Sequence, residues 1–438
     1  MASLIQTALS SRWAGTLCLW TVLFTAFYYP IGAGFVLLGK LPSTPTNIAI
    51  RSVCTVSALY LIALWLLNHR HRLQLQVAVW FVLGFWVMYT LRIFHDLAVG
   101  ITFASYSTAT VVGITFGNIL LPVVAVFLWA RHIPFQKVPI VLVWLFALAN
   151  ITVTTSLIIQ NGGLDLGLFL YRPHLKSLSD QQTGSAAILN PIQIGYYGEL
   201  LALAAIYFLS FRKDSRKLLF TALLLLGLFN LVLGASRGPF LNFLISGFVM
   251  LSYRFIRSRS KVVFFAKVVA IALVVGSTAV YLVGNNFKAE DFSMFNRVNK
   301  FLNERKESKK EYRDYQFLSA WNDFLDSPVI GKQFVGTYDN FYPHNIIVEI
   351  FMATGILGAL LFYSFFIPLL LKLRRIYLRH SGPAVFLLVI FTATFMGTMF
   401  SGALFQSVDL WILIALLLCI PLLPAPVTAS RSTPALGT

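Results

Sequence analysis

Long runs of apolar residues alternate with short polar connections along almost the whole chain. A helix needs roughly 20 consecutive apolar residues to cross about 30 Å of hydrocarbon, and runs of that length recur about twelve times. Each run predicts one membrane-spanning helix. The predicted spans lie near residues 15–38, 47–67, 75–94, 101–130, 138–159, 185–210, 218–235, 239–256, 262–284, 344–371, 383–402 and 404–424. The pattern predicts an all-α polytopic membrane protein.

The apolar stretch between residues 218 and 256 is interrupted only by Ser236-Arg237-Gly238-Pro239. At about 35 residues, this stretch is long enough for one extended helix. A Gly-Pro pair beside an arginine favours two shorter helices joined by a turn instead. We therefore predict two spans here.

Basic residues are concentrated in every second connection between the predicted spans. Cytoplasmic loops of membrane proteins carry an excess of lysine and arginine, so these connections and both termini are predicted to be cytoplasmic. The basic connections lie near residues 70–72, 131–137, 212–217, 254–261 and 372–379. A single helix across Arg237 would invert every later connection, so the charge pattern also supports the turn at that position.

Composition agrees with a membrane protein and argues against a nucleic-acid-binding protein. Of the 438 residues, 58% are hydrophobic and 11% are charged, whereas soluble domains carry about 25% charged residues. The net charge of +18 is consistent in sign with a nucleic-acid partner. However, the charges form short clusters between apolar runs, which is what orientation in a membrane requires.

A polar interval separates the ninth and tenth predicted spans, on the side opposite the basic connections. Loops of this length are usually functional or disordered. Aromatic residues at helical spacing from Tyr312 to Trp321 predict an amphipathic helix over the membrane, ended by Asp326-Ser327-Pro328. The chain thus divides into residues 1–284 with nine spans, a partly helical periplasmic loop at 285–343, and residues 344–438 with three spans and a cytoplasmic tail.

The outward side holds the candidates for chemistry. Arg237 is placed at a helix N-terminus, where its guanidinium and the backbone N–H groups favour an anion, although a snorkelling arginine is the structural alternative. Arg313 is one charge among many on a solvated face. His344 is a candidate general acid or base, or an interface or capping residue. Glu349 lies five residues further on, on a different face of the helix.

Metal-dependent and nucleotide-driven chemistry find no support in the motifs. Cys18, Cys54 and Cys419 all lie in apolar segments. The sequence contains no HExxH, CxxC or Walker signature. We therefore expect no metal site and no cofactor.

Three short elements, in order, resemble the O-antigen ligase and polymerase superfamily. They are Ser236-Arg237-Gly238, then Arg313 heading Tyr-Gln-Phe-Leu-Ser-Ala-Trp after one aspartate, then His344-Asn345 leading into Glu349, Gly355 and Gly358. The similarity covers roughly residues 185–365, and the predicted topology agrees with it. The resemblance depends on the order of the three elements along the chain, their spacing and their shared location on the outward side.

The resemblance implies a metal-independent, inverting glycosyltransferase of the bacterial inner membrane. It would transfer a glycan from an undecaprenyl pyrophosphate carrier, at the periplasmic face, to the sugar core of lipid A or to another carrier-linked repeat unit. Arg237 and Arg313 would bind the pyrophosphate, and His344 would assist attack by the acceptor hydroxyl. Ser236, Asn345 and Glu349 are further site candidates implied by the same elements.

One departure concerns the segment before Asn190-Pro191. The family often carries an arginine and a glycine there, whereas residues 184–189 of this chain contain no arginine. The nearest arginine, Arg172, is displaced along the chain, and its part in the site is an open prediction.

Two alternatives to a ligase remain at this point. A polymerase would use the same chemistry on a different acceptor. A lipid-linked glycan flippase or secondary transporter should show charged or broken helices near mid-membrane. Glu199 and Asp409 are almost the only acids placed deep in predicted spans, whereas the suspected ligands gather on one side, which favours an enzyme.

Overall fold

The computed structural model describes residues 11–39, 41–68, 76–104, 106–163, 189–211, 216–258, 260–262, 312–379 and 382–421. These residues form helices and their connections, and no β-strand occurs among them. The helices are α1 (Ser11–Phe27), α2 (Tyr29–Leu38), α3 (Ser43–Asn68), α4 (Val77–Ala98), α5 (Thr108–Val112), α6 (Leu121–Trp129), α7 (Val138–Gln160), α8 (Pro191–Phe211), α9 (Lys217–Leu233), α10 (Arg237–Arg257), α11 (Tyr312–Asp326), α12 (Ile346–Arg379), α13 (Pro383–Ser401) and α14 (Val408–Cys419). A π-helix, Gly113–Leu120, joins α5 to α6.

Eight helical segments in the described ranges are long and apolar enough to cross a membrane. A ninth arises if α1 and α2, which bend by 70° at Tyr28, form one span, and α9 and α14 are shorter apolar helices. Eleven of the twelve predicted runs coincide with helices, while nearly all of the run at 262–284 falls outside the described residues. The all-α membrane architecture is confirmed, and the count of twelve stays a prediction.

The predicted turn at Arg237 is present. Helix α9 ends at Leu233 and α10 begins at Arg237, with Ala235 between them at a φ of 41°. A positive φ is rare for a residue with a Cβ, so the break is a defined turn rather than a bend in one helix. The two-helix interpretation of this stretch is therefore confirmed.

Helices α8 and α9 approach each other through glycines. A Cβ on Gly198 or Gly227 would collide with backbone atoms of the facing helix. Lipid tails offer no hydrophobic drive to helix association, so close backbone packing and hydrogen bonds supply it. The Asn230 amide donates to the Asn150 side-chain oxygen at 2.8 Å, and Asn150 donates to the Tyr197 carbonyl at 2.8 Å, which ties α7 to both helices.

The segment that follows α11 is held by a guanidinium from α4. Arg92 donates to the carbonyls of Ile330, Gly331, Lys332 and Ala353 at 2.8–3.1 Å. Its side chain is only 12% exposed, and the Asp96 carboxylate lies 3.4 Å away. These bonds use the donors of the guanidinium fork and fix the segment against α4 and α12.

Helix α12 is broken at Gly355, where φ is 60° and a Cβ would collide with Val329 backbone atoms. The break leaves two N–H groups of α12 without helical partners, and both donate to carbonyls of the loop that follows α11. Ile356 donates to the Pro328 carbonyl at 2.8 Å and Leu357 to the Val329 carbonyl at 3.1 Å. The glycine is thus required by backbone conformation and by close packing of this loop on α12.

Helix α11 coincides with the predicted amphipathic helix and ends at Asp326, as the Asp-Ser-Pro sequence indicated. Its Phe324 ring packs on Phe351 of α12 at 5.2 Å. At the opposite end of the bundle, Arg257 donates to the carbonyls of Tyr377 and Leu378 at 2.9 and 3.1 Å. The basic ends of α10 and α12 therefore lie together, and their cytoplasmic location stays a prediction.

Candidate functional site

A cavity of about 280 Å³ opens where the ends of α3, α8, α10, α11, α13 and α14 meet. Its lining is rich in tyrosine and amide side chains and includes the charged residues Arg51, Arg313 and Asp409. Two buried polar atoms of lining residues have no hydrogen-bond partner within the described residues, the Gln406 side-chain nitrogen and the Asn118 side-chain oxygen. A polar, partly unsatisfied cavity of this kind is the default location for a bound ligand.

Arg313 lies in the first turn of α11 and reaches the cavity from the polar interval. Its Nη1 donates to the Phe400 carbonyl at 2.8 Å, in the last turn of α13. A cation at a helix C-terminus is favoured by the helix dipole. This contact holds the first turn of α11 at the rim of the cavity. The Arg313 side chain is otherwise exposed there.

The N-terminus of α10 forms another part of the wall. Ser236 is the N-cap residue, is 5% exposed, and its side chain makes no capping hydrogen bond. Ser236, Gly238, Pro239 and Asn242 line the cavity, whereas the adjacent Arg237, which is half-buried, does not. The cavity therefore faces the first turn of α10, where the helix dipole favours negative charge.

His344 lies outside the cavity lining and packs against two aromatic rings. Its ring centroid is 5.6 Å from that of Phe341 and 4.6 Å from that of Tyr342, and its backbone φ is 56°. Burial, and then the positive charge of Arg313, lower the pKa of His344 to about 4. At neutral pH the imidazole is therefore neutral, and its Nδ1 has no hydrogen-bond partner in the described part of the chain.

Asn345 and Glu349 make structural contacts at the start of α12. The Asn345 side-chain oxygen accepts from the Ile347 and Val348 N–H groups at 3.1 and 3.2 Å, which is an N-cap interaction. Glu349 is fully buried and accepts from the Tyr89 hydroxyl at 2.9 Å and the Leu404 N–H at 2.9 Å. Neither side chain lines the cavity.

The Asn190-Pro191 element caps α8 beside the cavity. Asn190 and Gln193 exchange side-chain to backbone hydrogen bonds at 3.0 and 3.1 Å, as in a capping box, and Gln193 lines the cavity. Arg172, the displaced arginine, lies outside the described residues, so its role stays a prediction.

Sequence reasoning missed two lining residues that belong to predicted spans. Arg51 lies about two turns inside α3, and Asp409, previously noted only as a deep acid, lies in the first turn of α14. The Tyr196 hydroxyl donates to Asp409 Oδ2 at 2.6 Å and lies 2.8 Å from the Thr394 hydroxyl. An ionisable residue within a span is a functional candidate by default, and that rule was available from the sequence for both residues.

A protein-family model described as O-Antigen ligase matches residues 221–363, about a third of the chain. Over these residues the chain matches the O-antigen ligase family, which supports the O-antigen ligase and polymerase superfamily. This confirms the resemblance that the three short elements indicated. No curated protein and no solved structure matches the chain.

The family match supports an enzyme of the membrane glycosyltransferase type that acts on lipid-linked glycans. The matched stretch contains Ser236 and Arg313 of the cavity lining. It excludes Arg51, Tyr196 and Asp409, which complete the wall from α3, α8 and α14. The site thus joins the O-antigen ligase region to helices on both sides of it.

Proposed function

We propose that this protein is an O-antigen ligase-type glycosyltransferase. It moves a glycan from undecaprenyl pyrophosphate to a sugar of the lipid A core at the periplasmic face of the bacterial inner membrane. The observation that carries the proposal is the convergence on one cavity of Arg313 and the α10 N-terminus, both of which lie within the matched family region. Both features favour an anion, and pyrophosphate is the anionic group of such a donor.

The proposed reaction is a single displacement. The acceptor hydroxyl oxygen forms a bond to the anomeric carbon, the bond from that carbon to the pyrophosphate oxygen breaks, and the configuration inverts. Arg313 and the N–H groups at the start of α10 stabilise the charge that develops on the departing pyrophosphate. Arg237 contributes from the same turn of α10. This arrangement supplies the charge compensation without calling on a metal ion.

The acceptor hydroxyl must lose its proton during attack. His344 is the proposed base, since its imidazole is neutral at pH 7 and carries an unpaired nitrogen. Because His344 does not line the cavity, a local movement is needed to bring its imidazole to the acceptor hydroxyl. Asp409 is the competing base, favoured because it lines the cavity directly and already binds one hydroxyl, that of Tyr196.

The polymerase reaction shares every one of these steps and differs only in its acceptor, a carrier-linked repeat unit. A reconstituted assay that offers lipid A core and carrier-linked repeat separately distinguishes the two products. Transfer to lipid A core supports the ligase. If only the carrier-linked chain grows, the protein is instead a polymerase.

Arg313→Ala is expected to lower transfer to the lipid A core by about a hundredfold or more, because charge stabilisation by one positioned donor is worth about that much. Arg374→Ala, a change in the basic segment at the opposite end of α12, is the matched control and should retain full transfer. Normal transfer by Arg313→Ala at native protein levels would exclude the proposed role.

A further inference from the structure

Arg51 is a cation in the cavity wall whose hydrogen-bonding capacity is mostly unused. It lies in α3, in an otherwise apolar helix that is long enough to span a membrane. Its Nε donates to the Tyr28 hydroxyl at 2.9 Å. The described residues provide its side chain with no other hydrogen bond, and no carboxylate within ion-pair distance.

Tyr28 sets the direction of this guanidinium. It is the residue at which α1 and α2 bend by 70°, and it is 4% exposed. A guanidinium that snorkels to lipid headgroups extends away from the protein interior. Arg51 is instead held by a buried hydroxyl from the broken span and lines the cavity together with it.

Besides Arg51, the lining holds an unpaired amide donor, an unpaired amide oxygen at Asn118 and one acid, within the described residues. The Gln406 side-chain nitrogen is buried and unpaired in the described part of the chain, and it lines the same cavity. The acid in this wall, Asp409, is engaged by Tyr196. An uncompensated cation near a low-dielectric region is costly unless an anionic group fills the space beside it.

We propose that Arg51, positioned by Tyr28, binds an anionic group of the glycolipid that occupies the cavity, as a cationic contact additional to Arg313. The group is a phosphate or a carboxylate, since both accept two parallel hydrogen bonds from the guanidinium fork. The inference rests on the proposed function for the class of ligand. It adds a binding residue from α3, outside the matched family region.

The test measures binding rather than transfer, so it is separable from the proposed function. Purified full-length protein in neutral-lipid nanodiscs is titrated with three probes. They are a polyprenyl pyrophosphate without sugar, the same pyrophosphate lipid carrying an acidic glycan, and the uncharged polyprenol. Arg51→Gln retains most of the side-chain volume without the charge, Arg51→Lys retains the charge, and Arg374→Ala is the matched control.

Arg51→Gln is expected to weaken binding of the sugar-free pyrophosphate lipid by about ten- to hundredfold. The affinity of Arg51→Lys for this lipid should lie between those of Arg51→Gln and the native protein. Binding of the uncharged polyprenol should be unchanged in both variants. A loss confined to the acidic glycan lipid also supports the proposal and assigns the anion to the sugar. Native binding of both charged probes by Arg51→Gln overturns it, as does equal weakening by Gln and Lys. If the native protein transfers the glycan but Arg51→Gln binds both charged probes as well as the native protein does, the inference fails and the proposed function stands.

Discussion

Two arginines from neighbouring predicted spans, Arg92 and Arg51, show opposite states of the same side chain. Arg92 donates to four carbonyls and lies beside Asp96, so its charge and donors are satisfied within the protein. Among the described residues, Arg51 makes one side-chain hydrogen bond, to Tyr28, and it lines a cavity. The difference teaches that the unfilled hydrogen-bonding capacity of an arginine, rather than its presence in a span, separates a binding candidate from a structural residue.

The same contrast holds for the regions around them. Around Arg92, the Phe334 N–H donates to the Asp96 carboxylate at 2.7 Å. The Lys332 ammonium donates to the carboxylates of Asp323 and Asp326 at 2.9 and 2.8 Å. The pKa of Lys332 is raised chiefly by these two carboxylates. In the cavity lining, the Asn118 side-chain oxygen and the Gln406 side-chain nitrogen are buried without a hydrogen-bond partner in the part of the chain that the structure describes.

The largest expected effect is that of Arg92→Ala on stability. Removal of the guanidinium leaves several carbonyls and the Asp96 carboxylate without their partner, which should cost about 3 kcal/mol or more. Thermal unfolding in detergent, with Arg374→Ala as control, measures the loss. A midpoint equal to that of the control would show that Arg92 is no more structural than an exposed arginine, and the contrast with Arg51 would disappear.

A smaller loss is expected for Gly355→Ala, about 2–3 kcal/mol, because the added Cβ meets the Val329 backbone and the φ of 60° is unfavourable for alanine. Gly247→Ala in α10 is the matched control. Its Cβ would meet no atom within 4 Å, and alanine is the better helix former there by about 1 kcal/mol. Chemical unfolding of the two variants should therefore shift in opposite directions, and equal shifts would contradict the packing explanation.

The elements that could be predicted from sequence are those with local causes. The apolar runs gave the helices, Gly238-Pro239 gave the break before α10, and Ser327-Pro328 gave the end of α11. Each depends on backbone preferences within a few residues. The side chains that share the cavity depend instead on the packing of α3, α8, α11 and α14, which no local pattern specifies.

Because local patterns do not specify how helices pack, only some of the predicted site residues line the cavity. Arg313 and Ser236 were expected at one site, and both line the cavity. The structure places Arg237, His344, Asn345 and Glu349 outside the lining. The roles of all the predicted site residues, Arg313 and Ser236 included, stay predictions. Glu349 illustrates the reason, since its contacts with Tyr89 and Leu404 join residues that are distant in sequence.

A third prediction concerns pH and the packed region next to the cavity. The pKa of His344 in the folded protein, about 4, is below its ordinary value of 6.5, so the unfolded chain binds the proton more readily. The folded state should therefore lose stability as pH falls from about 6.5 to about 4, by roughly 1–2 kcal/mol after allowance for solvent screening. Unfolding measured between pH 7 and pH 4 should be flatter for His344→Gln. Parallel curves for the two proteins would show that His344 is as solvated as an exposed histidine.

The smallest expected effect is that of Arg51→Gln on the stability of the ligand-free protein. Because Arg51 makes one hydrogen bond and no ion pair among the described residues, neutralising it removes little, and it relieves the cost of an uncompensated charge. The free energy of unfolding should stay within about 0.5 kcal/mol of native or rise slightly, as is common where a binding site is not optimised for stability. Added polyprenyl pyrophosphate should then stabilise the native protein more than the variant, because only binding to the folded state contributes. A loss as large as that of Arg92→Ala would mean that Arg51 is held by the protein itself, and the distinction between the two arginines would fail.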